Sequence, residues 1–328
     1  MYITGHGLIR RLKGGLTMLD YSGFKSEFIS RCRQNLGESA FAAAGRDVYI
    51  EEQPVRKAQA GELTGLIFRT RGSSCSPTLY VEDFFRMYES GHSVDELSLA
   101  ALTNVIPYID NAPGFPEDAF EDTSKLRVRL LNTSRNSDYL KEVPHADSGC
   151  GLSLIAEVRS GEYRAVVTNG LMESMDISRE ELFEIALENS SAEDPPVLYE
   201  LSELLMKGHD SCTDLLGSEP GTFFPADSLY LLSNRNCFWG SAVLFYPGLL
   251  GRLCELLNGP FFVLPSSVHE VLLLPESGGD PQRLAEIIGN ANRTVVSDED
   301  YLSDDLYICG SGTLRRIPAV IEKAATLS

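Results

Sequence analysis

Four side chains that can take part in a reaction lie inside segment 261–275, within a stretch of five residues. They are Ser266, Ser267, His269 and Glu270, and the apolar runs on both sides of them predict two buried strands joined by a short turn. A hydroxyl near an imidazole and a carboxylate is the set of groups that nucleophilic hydrolysis uses. Strands fixed in a core would hold these groups rigidly, so the segment indicates a site without naming a reaction.

Hydrolysis would need a nucleophile, a base and a carboxylate that orients the base. In an extended strand alternate side chains share a face, which predicts that Ser267 and His269 are neighbours while Glu270 points the other way. The chain has no G-x-S-x-G elbow. A purely structural role, with the serines capping a turn and His269 hydrogen-bonded in the sheet, is favoured over catalysis. The candidate catalytic residues are Ser266, Ser267, His269, Glu270 and His145, with Asp304 as an alternative orienting carboxylate.

The histidines also allow a metal site. His145 and His269, with Asp304 or Glu270, would offer the imidazole and carboxylate ligands that zinc accepts. The two histidines are distant in the chain and nothing resembles H-E-x-x-H. A hydrogen bond in a loop or core is therefore the favoured role of each, and no cofactor is predicted.

Two further motifs have both a structural and a functional interpretation. Segment 309–313, Cys-Gly-Ser-Gly-Thr, resembles a phosphate loop after a strand but lacks a following lysine, so a hairpin turn is favoured. Trp239 is the only tryptophan. It is either an anchor for a partner or a core aromatic residue, and the core is favoured.

Apolar periodicity, capping boxes and turn residues predict the elements that would position these groups. The N-terminal part is predicted as a helix at 24–36, strands at 46–52, 63–70 and 76–82, and a helix from the Ser93 capping box to about 108. The C-terminal part is predicted as strands at 126–133, 152–159 and 163–168, a helix from the Ser178 capping box to about 189, a further helix after the break at 193–196, a strand at 229–233, a helix at 247–257, the two strands of segment 261–275, a helix from 280 to about 292, and a hairpin of 305–309 with 313–316.

The fold class that follows is α+β or mixed α/β, with an N-terminal α-β-α part and a larger C-terminal part. The predicted organisation is a leader at 1–17, an N-terminal domain at 18–112, a Pro- and Gly-containing linker at 113–124 and a C-terminal domain at 125–328. Residues 13–15 can be encoded by a strong bacterial ribosome-binding sequence ahead of Met18. Translation is therefore expected to begin at Met18, with a genuine disordered basic leader as the alternative.

Composition restricts the class of protein. The chain has 328 residues, with 47 acidic against 28 basic ones and a net charge of −19. This excess opposes binding to nucleic acid or an anionic membrane and favours a basic partner, although a merely solvated acidic surface is the simpler interpretation. The seven cysteines include no C-x-x-C pair, and no apolar run reaches the roughly 18 residues of a membrane span. A cytoplasmic protein with reduced thiols is expected.

Several ungapped blocks resemble a clostridial domain-of-unknown-function family, DUF5688. The blocks include Leu-Leu-Asn at 130–132, Pro-His at 144–145, Glu-Glu-Leu-Phe at 180–183, Tyr-Pro at 246–247 and LPSSVHEVLLLP at 264–275. The resemblance runs over nearly the whole chain from Met18 but implies no activity and no catalytic residues. The C-terminal half is also loosely similar to a second uncharacterised family, typified by a Bacillus protein. The DUF5688 pattern has an acidic residue before Leu152, where this chain has Gly151.

Two functions are carried forward from the sequence. The favoured one is a non-catalytic cytoplasmic interaction or regulatory protein whose acidic surface binds a basic protein, with no nucleic acid or membrane as partner. The alternative is a hydrolase or metal-dependent enzyme centred on the turn at 265–270.

Overall fold

The computed structural model describes residues 18–39, 47–70, 76–111, 117–161, 163–219 and 222–317. The predicted leader, Cys75 and residues 113–116 of the predicted linker lie outside these ranges. The chain divides into two compact units, Met1–Lys57 with Glu62–Phe115 and Ala58–Gly61 with Pro116–Ser328.

The first unit combines helices with a three-stranded sheet in the order β1-β2-β3. Its helix α1 begins at an N-cap, Asp20, whose carboxylate accepts the Gly23 N–H at 2.8 Å, and it buries Phe24, Phe28 and Cys32. Phe28 stacks on Phe84 with ring centroids 4.8 Å apart. The elements are α1 (Tyr21–Gly37), β1 (Val48–Lys57), β2 (Gly61–Thr70), β3 (Thr78–Tyr80), α2 (Val81–Glu89) and α3 (Val94–Asn111).

The predicted strand at 76–82 is wrong at its last two residues. Only Thr78–Tyr80 is strand, and helix α2 begins at Val81. Val81, Phe84 and Tyr88 have helical spacing and are buried, and acidic residues occupy the first turn. The β-favouring residues at 76–82 overlap the first residues of the helical pattern, so the sequence did not show where the helix begins. The Ser93 capping box is confirmed, since the Ser93 N–H donates to Glu96 at 3.0 Å and the Glu96 N–H donates to the Ser93 hydroxyl at 3.3 Å.

The second unit contains two antiparallel sheets. In the four-stranded sheet β6 is flanked by β4 on one side and by β5 and β7 on the other, and the six-stranded sheet has the order β13-β12-β10-β11-β9-β8. The strands are β4 (Leu126–Asn132), β5 (His145–Asp147), β6 (Leu152–Ser160), β7 (Tyr163–Val166), β8 (Pro196–Glu200), β9 (Tyr230–Asn234), β10 (Phe261–Pro265), β11 (Val271–Pro275), β12 (Leu306–Gly310) and β13 (Thr313–Ile317).

The helices of this unit are α4 (Asn169–Ser174), α5 (Arg179–Glu193), α6 (Leu201–Lys207), α7 (Leu249–Leu256) and α8 (Pro281–Thr294), with a 3-10 helix at Gly240–Phe245. The Ser178 capping box that starts α5 is confirmed. The further helix expected after 193–196 is present as the short α6, but a strand that was not predicted comes before it. Pro196 begins this strand, β8, which pairs with β9. Three consecutive residues of β8 are buried, Val197, Leu198 and Tyr199. Burial in the tertiary structure therefore favours the strand at this position.

The expected α+β class is confirmed, because helices alternate with wholly antiparallel sheets. The two strands of segment 261–275 are confirmed as β10 and β11, paired from Phe261 with Pro275 to Pro265 with Val271. Both lie inside the six-stranded sheet, so the turn between them projects from a fixed core. Within the described residues, no helix combines the length and apolar character needed to cross a bilayer.

Candidate functional site

The turn between β10 and β11 gathers the four sequence candidates into one hydrogen-bonded unit. The hydroxyls of Ser266 and Ser267 donate to the same Glu270 oxygen at 3.0 and 2.9 Å. The Ser267 N–H also donates to the Glu270 carbonyl at 3.1 Å. The expectation that Glu270 points away from Ser267 is wrong, because residues 266–270 leave the strand conformation and alternation of faces no longer applies.

Two serines from the end of β9 and from the 3-10 helix hold this turn. The Ser233 hydroxyl donates to the His269 carbonyl and the Ser241 hydroxyl donates to the Val268 carbonyl, both at 2.7 Å. Ser233 and Ser241 are fully buried, so their hydrogen bonds are shielded from water. The turn is thus fixed from two directions as well as by its own strands.

Both nitrogens of the His269 ring have partners. The Trp239 backbone N–H donates to Nδ1 at 3.1 Å, and Nε2 lies 3.1 Å from an Asp300 carboxylate oxygen. Since Nδ1 accepts a hydrogen bond, the proton of the neutral ring is on Nε2 and is donated to Asp300. The ring also contacts Phe238 and Trp239, with centroids 5.4 and 5.9 Å away.

The arrangement pairs a histidine with a carboxylate but directs the serines elsewhere. Ser267 contacts the backbone of His269 and not its ring, because the Ser267 hydroxyl accepts the His269 N–H at 2.9 Å. No hydrogen bond joins a described hydroxyl to the His269 ring. A histidine acting as a base for serine would need that contact within about 3.2 Å, or through one water.

His145 and Asp304 have other partners. His145 begins β5 opposite Ile155, and its Nδ1 lies 3.3 Å from the Val143 carbonyl. Asp304 accepts a hydrogen bond from the Asn292 side chain at 2.8 Å. Over the described ranges, no three His, Cys, Asp or Glu side chains are placed to hold a metal ion.

Segment 309–313 is a hairpin turn, as the sequence favoured. Gly310 of β12 pairs with Thr313 of β13. Ser311 and Gly312 between them have φ angles of 53° and 76°. Two consecutive left-handed residues form the tight turn whose twist matches paired strands.

Four arginines on one face of the four-stranded sheet form a second candidate site, the arginine cluster (Arg127, Arg129, Arg159 and Arg164). Arg127 lies opposite Glu157 across β4 and β6, and Arg159 lies opposite Arg164 across β6 and β7. Directly opposed and alternate positions of a sheet project to the same side. The strand register therefore places four arginines on the same face of the sheet as Glu157.

Glu157 is fully buried at the centre of this cluster. Arg129 forms an ion pair with it, Arg159 lies 3.4 Å from its carboxylate and Arg164 lies 4.0 Å from it. Arg159 also binds the buried Asp194 at 2.6 Å. One interior carboxylate thus serves three cations, an arrangement that leaves positive charge in excess.

Arg127 makes no ion pair with a carboxylate of the described chain. Its guanidinium donates to the carbonyls of Ser124 and Leu126, both at 2.8 Å, and the residue is only 7% exposed. Burial lowers the pKa of this guanidinium and the charge of Arg159 lowers it further, while Asp194 and the exposed Glu193 act in the opposite direction.

The loop after β9 connects the arginine cluster with the turn. Arg129 lies over the Trp239 ring at 4.5 Å and Arg164 lies over the Phe238 ring at 4.4 Å. Both distances are in the cation–π range. The same two aromatic rings contact His269. Trp239 has a left-handed backbone, with φ 54°, which lets its N–H reach the imidazole while its ring covers Arg129.

A family model described as a family of unknown function, DUF5688, matches residues 21–309. The chain belongs to this family. The resemblance found in the sequence blocks is thereby confirmed. No curated protein matches the chain, and no solved structure does either.

In this DUF5688 chain, sequence reasoning missed the arginine cluster although a local signal was present. Arg127 and Arg129 alternate in β4, so they must share a face of the predicted strand. Arg159 and Arg164 flank a short hairpin turn. The net charge of −19 belongs to the whole chain and does not indicate a local cluster of basic residues. The sequence contains no comparable sign that Trp239 lies over this face.

Gly151 has a left-handed backbone with φ 86°. An added side chain would meet the Arg316 guanidinium at 3.2 Å. Glycine suits this conformation because it lacks the Cβ that opposes positive φ.

Proposed function

We propose that this protein is a non-catalytic cytoplasmic interaction protein that binds a basic protein through the exposed face of α5. The observation that carries the proposal is a row of three glutamates at i, i+4 and i+8 on this helix, Glu180, Glu184 and Glu188. All three are exposed. None of them forms an ion pair with another described residue.

The opposite side of α5 is fixed to the four-stranded sheet. Leu182, Phe183 and Ala186 are buried, and the Ser190 hydroxyl accepts the Val128 N–H at 3.0 Å. The helix therefore cannot rotate its acidic face away from solvent. Like charges spaced i, i+4 on a helix repel by about 0.2–0.5 kcal/mol per pair. Lysine or arginine side chains of a partner would remove this repulsion and gain ion pairs.

The geometry of the turn supports a structural role for Ser267 and His269. Both serine hydroxyls donate to one carboxylate, and both imidazole nitrogens have partners within the fold. These contacts fix the end of β10, the start of β11 and the loop that carries Trp239. A rigid scaffold of this kind is what a binding protein needs to present a surface.

The test is capture of a partner from the native host at about 50 mM salt and again at about 500 mM salt, since exposed charge pairs are screened at high ionic strength. The variant E180Q/E184Q/E188Q should lose the partner. The control E89Q/E255Q/E286Q removes the same charge from scattered exposed positions and should retain it. A complex that is insensitive to salt and to the α5 variant contradicts the proposal, as does recovery of no partner at low salt.

A second candidate function is hydrolysis, favoured by one observation, the pairing of His269 with Asp300 at 3.1 Å. A carboxylate on one imidazole nitrogen is the base-and-orienter pair of hydrolytic enzymes. The test is a screen of ester and amide substrates with S267A, H269A and H145A. Turnover that is unchanged in all three variants excludes a reaction centred on the turn.

A further inference from the structure

We propose that the arginine cluster binds a small oxyanion, specifically the phosphate group of a phosphate-bearing small molecule. This inference is independent of the acidic face of α5, which lies on another element. It rests on the charge balance of the cluster, on unpaired buried donors and on the partial exposure of the rim.

The arginine cluster carries more positive than negative charge. Four guanidinium groups face two buried carboxylates, Glu157 and Asp194. Arginine keeps its proton at any pH a protein meets, so this excess cannot be removed by deprotonation as it can with lysine. Uncompensated charge away from water is costly. A bound anion would offset this excess.

Unpaired donors are the second observation. The Nε atoms of Arg127, Arg129 and Arg159 are buried and have no acceptor among the described residues, and Glu157 Oε2, which belongs to the ion pair with Arg129, accepts no hydrogen bond either. A buried donor without an acceptor loses the hydrogen bond that it makes with water in the unfolded chain. Three such donors in one cluster call for a group with several acceptor oxygens, and phosphate carries them in a geometry that guanidinium groups match.

Access is the third observation. The side chain of Arg164 is 37% exposed, that of Arg159 is 19% exposed and that of Arg129 is 15% exposed. Exposure thus falls from Arg164 at the rim to Arg129 and the 7% exposed Arg127 in the interior. An anion would first meet Arg164 and Arg159 and would then draw acceptor oxygens toward the inner guanidinium groups.

The single tryptophan makes binding directly measurable. Trp239 lies over Arg129 at 4.5 Å, so an anion that moves or neutralises this guanidinium changes the fluorescence of the only indole in the chain. The purified full chain is titrated with inorganic phosphate, pyrophosphate and AMP in a phosphate-free buffer, with potassium chloride at matched ionic strength and adenosine as controls. Saturable binding with Kd below about 1 mM is expected for at least one phosphate-bearing probe. Tighter binding of AMP than of phosphate identifies a nucleotide-like ligand, and equal binding identifies the phosphate group alone as the recognised unit.

Two substitutions decide whether the cluster is the site. R164Q removes the exposed rim cation and should weaken binding at least tenfold, whereas R283Q, at an exposed position of α8, should leave it unchanged. R164K keeps the charge without the planar fork and should weaken binding less than R164Q. Thermal unfolding with and without phosphate gives a second readout, with stabilisation in the wild type and R283Q that is reduced in R164Q. The proposal is overturned if no probe changes the fluorescence or melting temperature beyond the chloride control, or if R164Q binds as tightly as R283Q.

Discussion

Replacing Glu157 by glutamine tests the physical account of the arginine cluster. Glutamine has nearly the same volume as glutamate, so the substitution leaves no cavity; it removes the charge and replaces one acceptor oxygen by an NH2 donor. Glu157 is fully buried and lies within 4.0 Å of three arginines. Without it, the one buried carboxylate that the described residues place at the cluster is Asp194, which pairs with Arg159.

The magnitude follows from the burial. Removing one partner of a buried ion pair costs about 3–5 kcal/mol, since the other charge stays buried and unpaired. A domain of roughly 150–250 residues loses about 2–4 °C in Tm for each kcal/mol. E157Q should therefore lower the Tm of the second unit by about 6–20 °C.

Trp239 fluorescence during thermal unfolding in phosphate-free buffer measures this change, because the indole belongs to the second unit. The control is E188Q, the same chemical change at an exposed position of α5, which should change the free energy of unfolding by no more than about 0.5 kcal/mol. If E157Q melts within 2 °C of E188Q, roughly the effect of 1 kcal/mol, Glu157 does not neutralise the cluster and the reasoning from its burial fails.

Three other predictions concern the elements that hold the site. G240A should destabilise the second unit by about 2–4 kcal/mol in urea unfolding, because its Cβ would lie 2.5 Å from the His269 carbonyl. The control is G251A in helix α7, where the new Cβ meets no atom within 4 Å, and it should be neutral or stabilising by up to about 1 kcal/mol. Equal effects of the two substitutions would contradict the packing at Gly240. S178A should cost about 1 kcal/mol by removing the α5 cap, and a loss below about 0.3 kcal/mol would show that the capping box does not stabilise the helix. Burial raises the pKa of Cys309 to about 12, so as the pH rises past about 8.5 the unfolded chain loses the thiol proton while the folded chain keeps it. The free energy of unfolding should therefore fall with increasing pH above about 8.5. A C309A variant that keeps the full pH dependence would refute this assignment.

Local features of the fold were predictable from the sequence. The capping boxes at Ser93 and Ser178 and the hairpin at 309–313 depend on residues a few positions apart, and all three are confirmed. The elements that were wrong depend on distant partners. β8 is a strand because β9 lies beside it, and α2 begins inside a β-rich run because its apolar face packs on α1.

The candidate site divides in the same way. The turn at 266–270 was visible as a polar insert between apolar strands, but the direction of Glu270 depends on where the strand conformation ends. The partners of His269 come from Trp239 and Asp300, each about thirty residues away in the chain. Spacing in the sequence does not determine such distances.

The α+β class, most of the helices and strands, the family and the acidic character of the chain follow from the sequence, because apolar periodicity, caps and composition act locally or on average. Which polar groups meet depends on the tertiary structure. The antiparallel register of β4, β6 and β7 places four arginines on the same face of the sheet as Glu157, and the loop after β9 places Trp239 over Arg129. Register and loop placement minimise the free energy of the whole core, so the neighbours of a buried charge follow from packing and not from proximity along the chain.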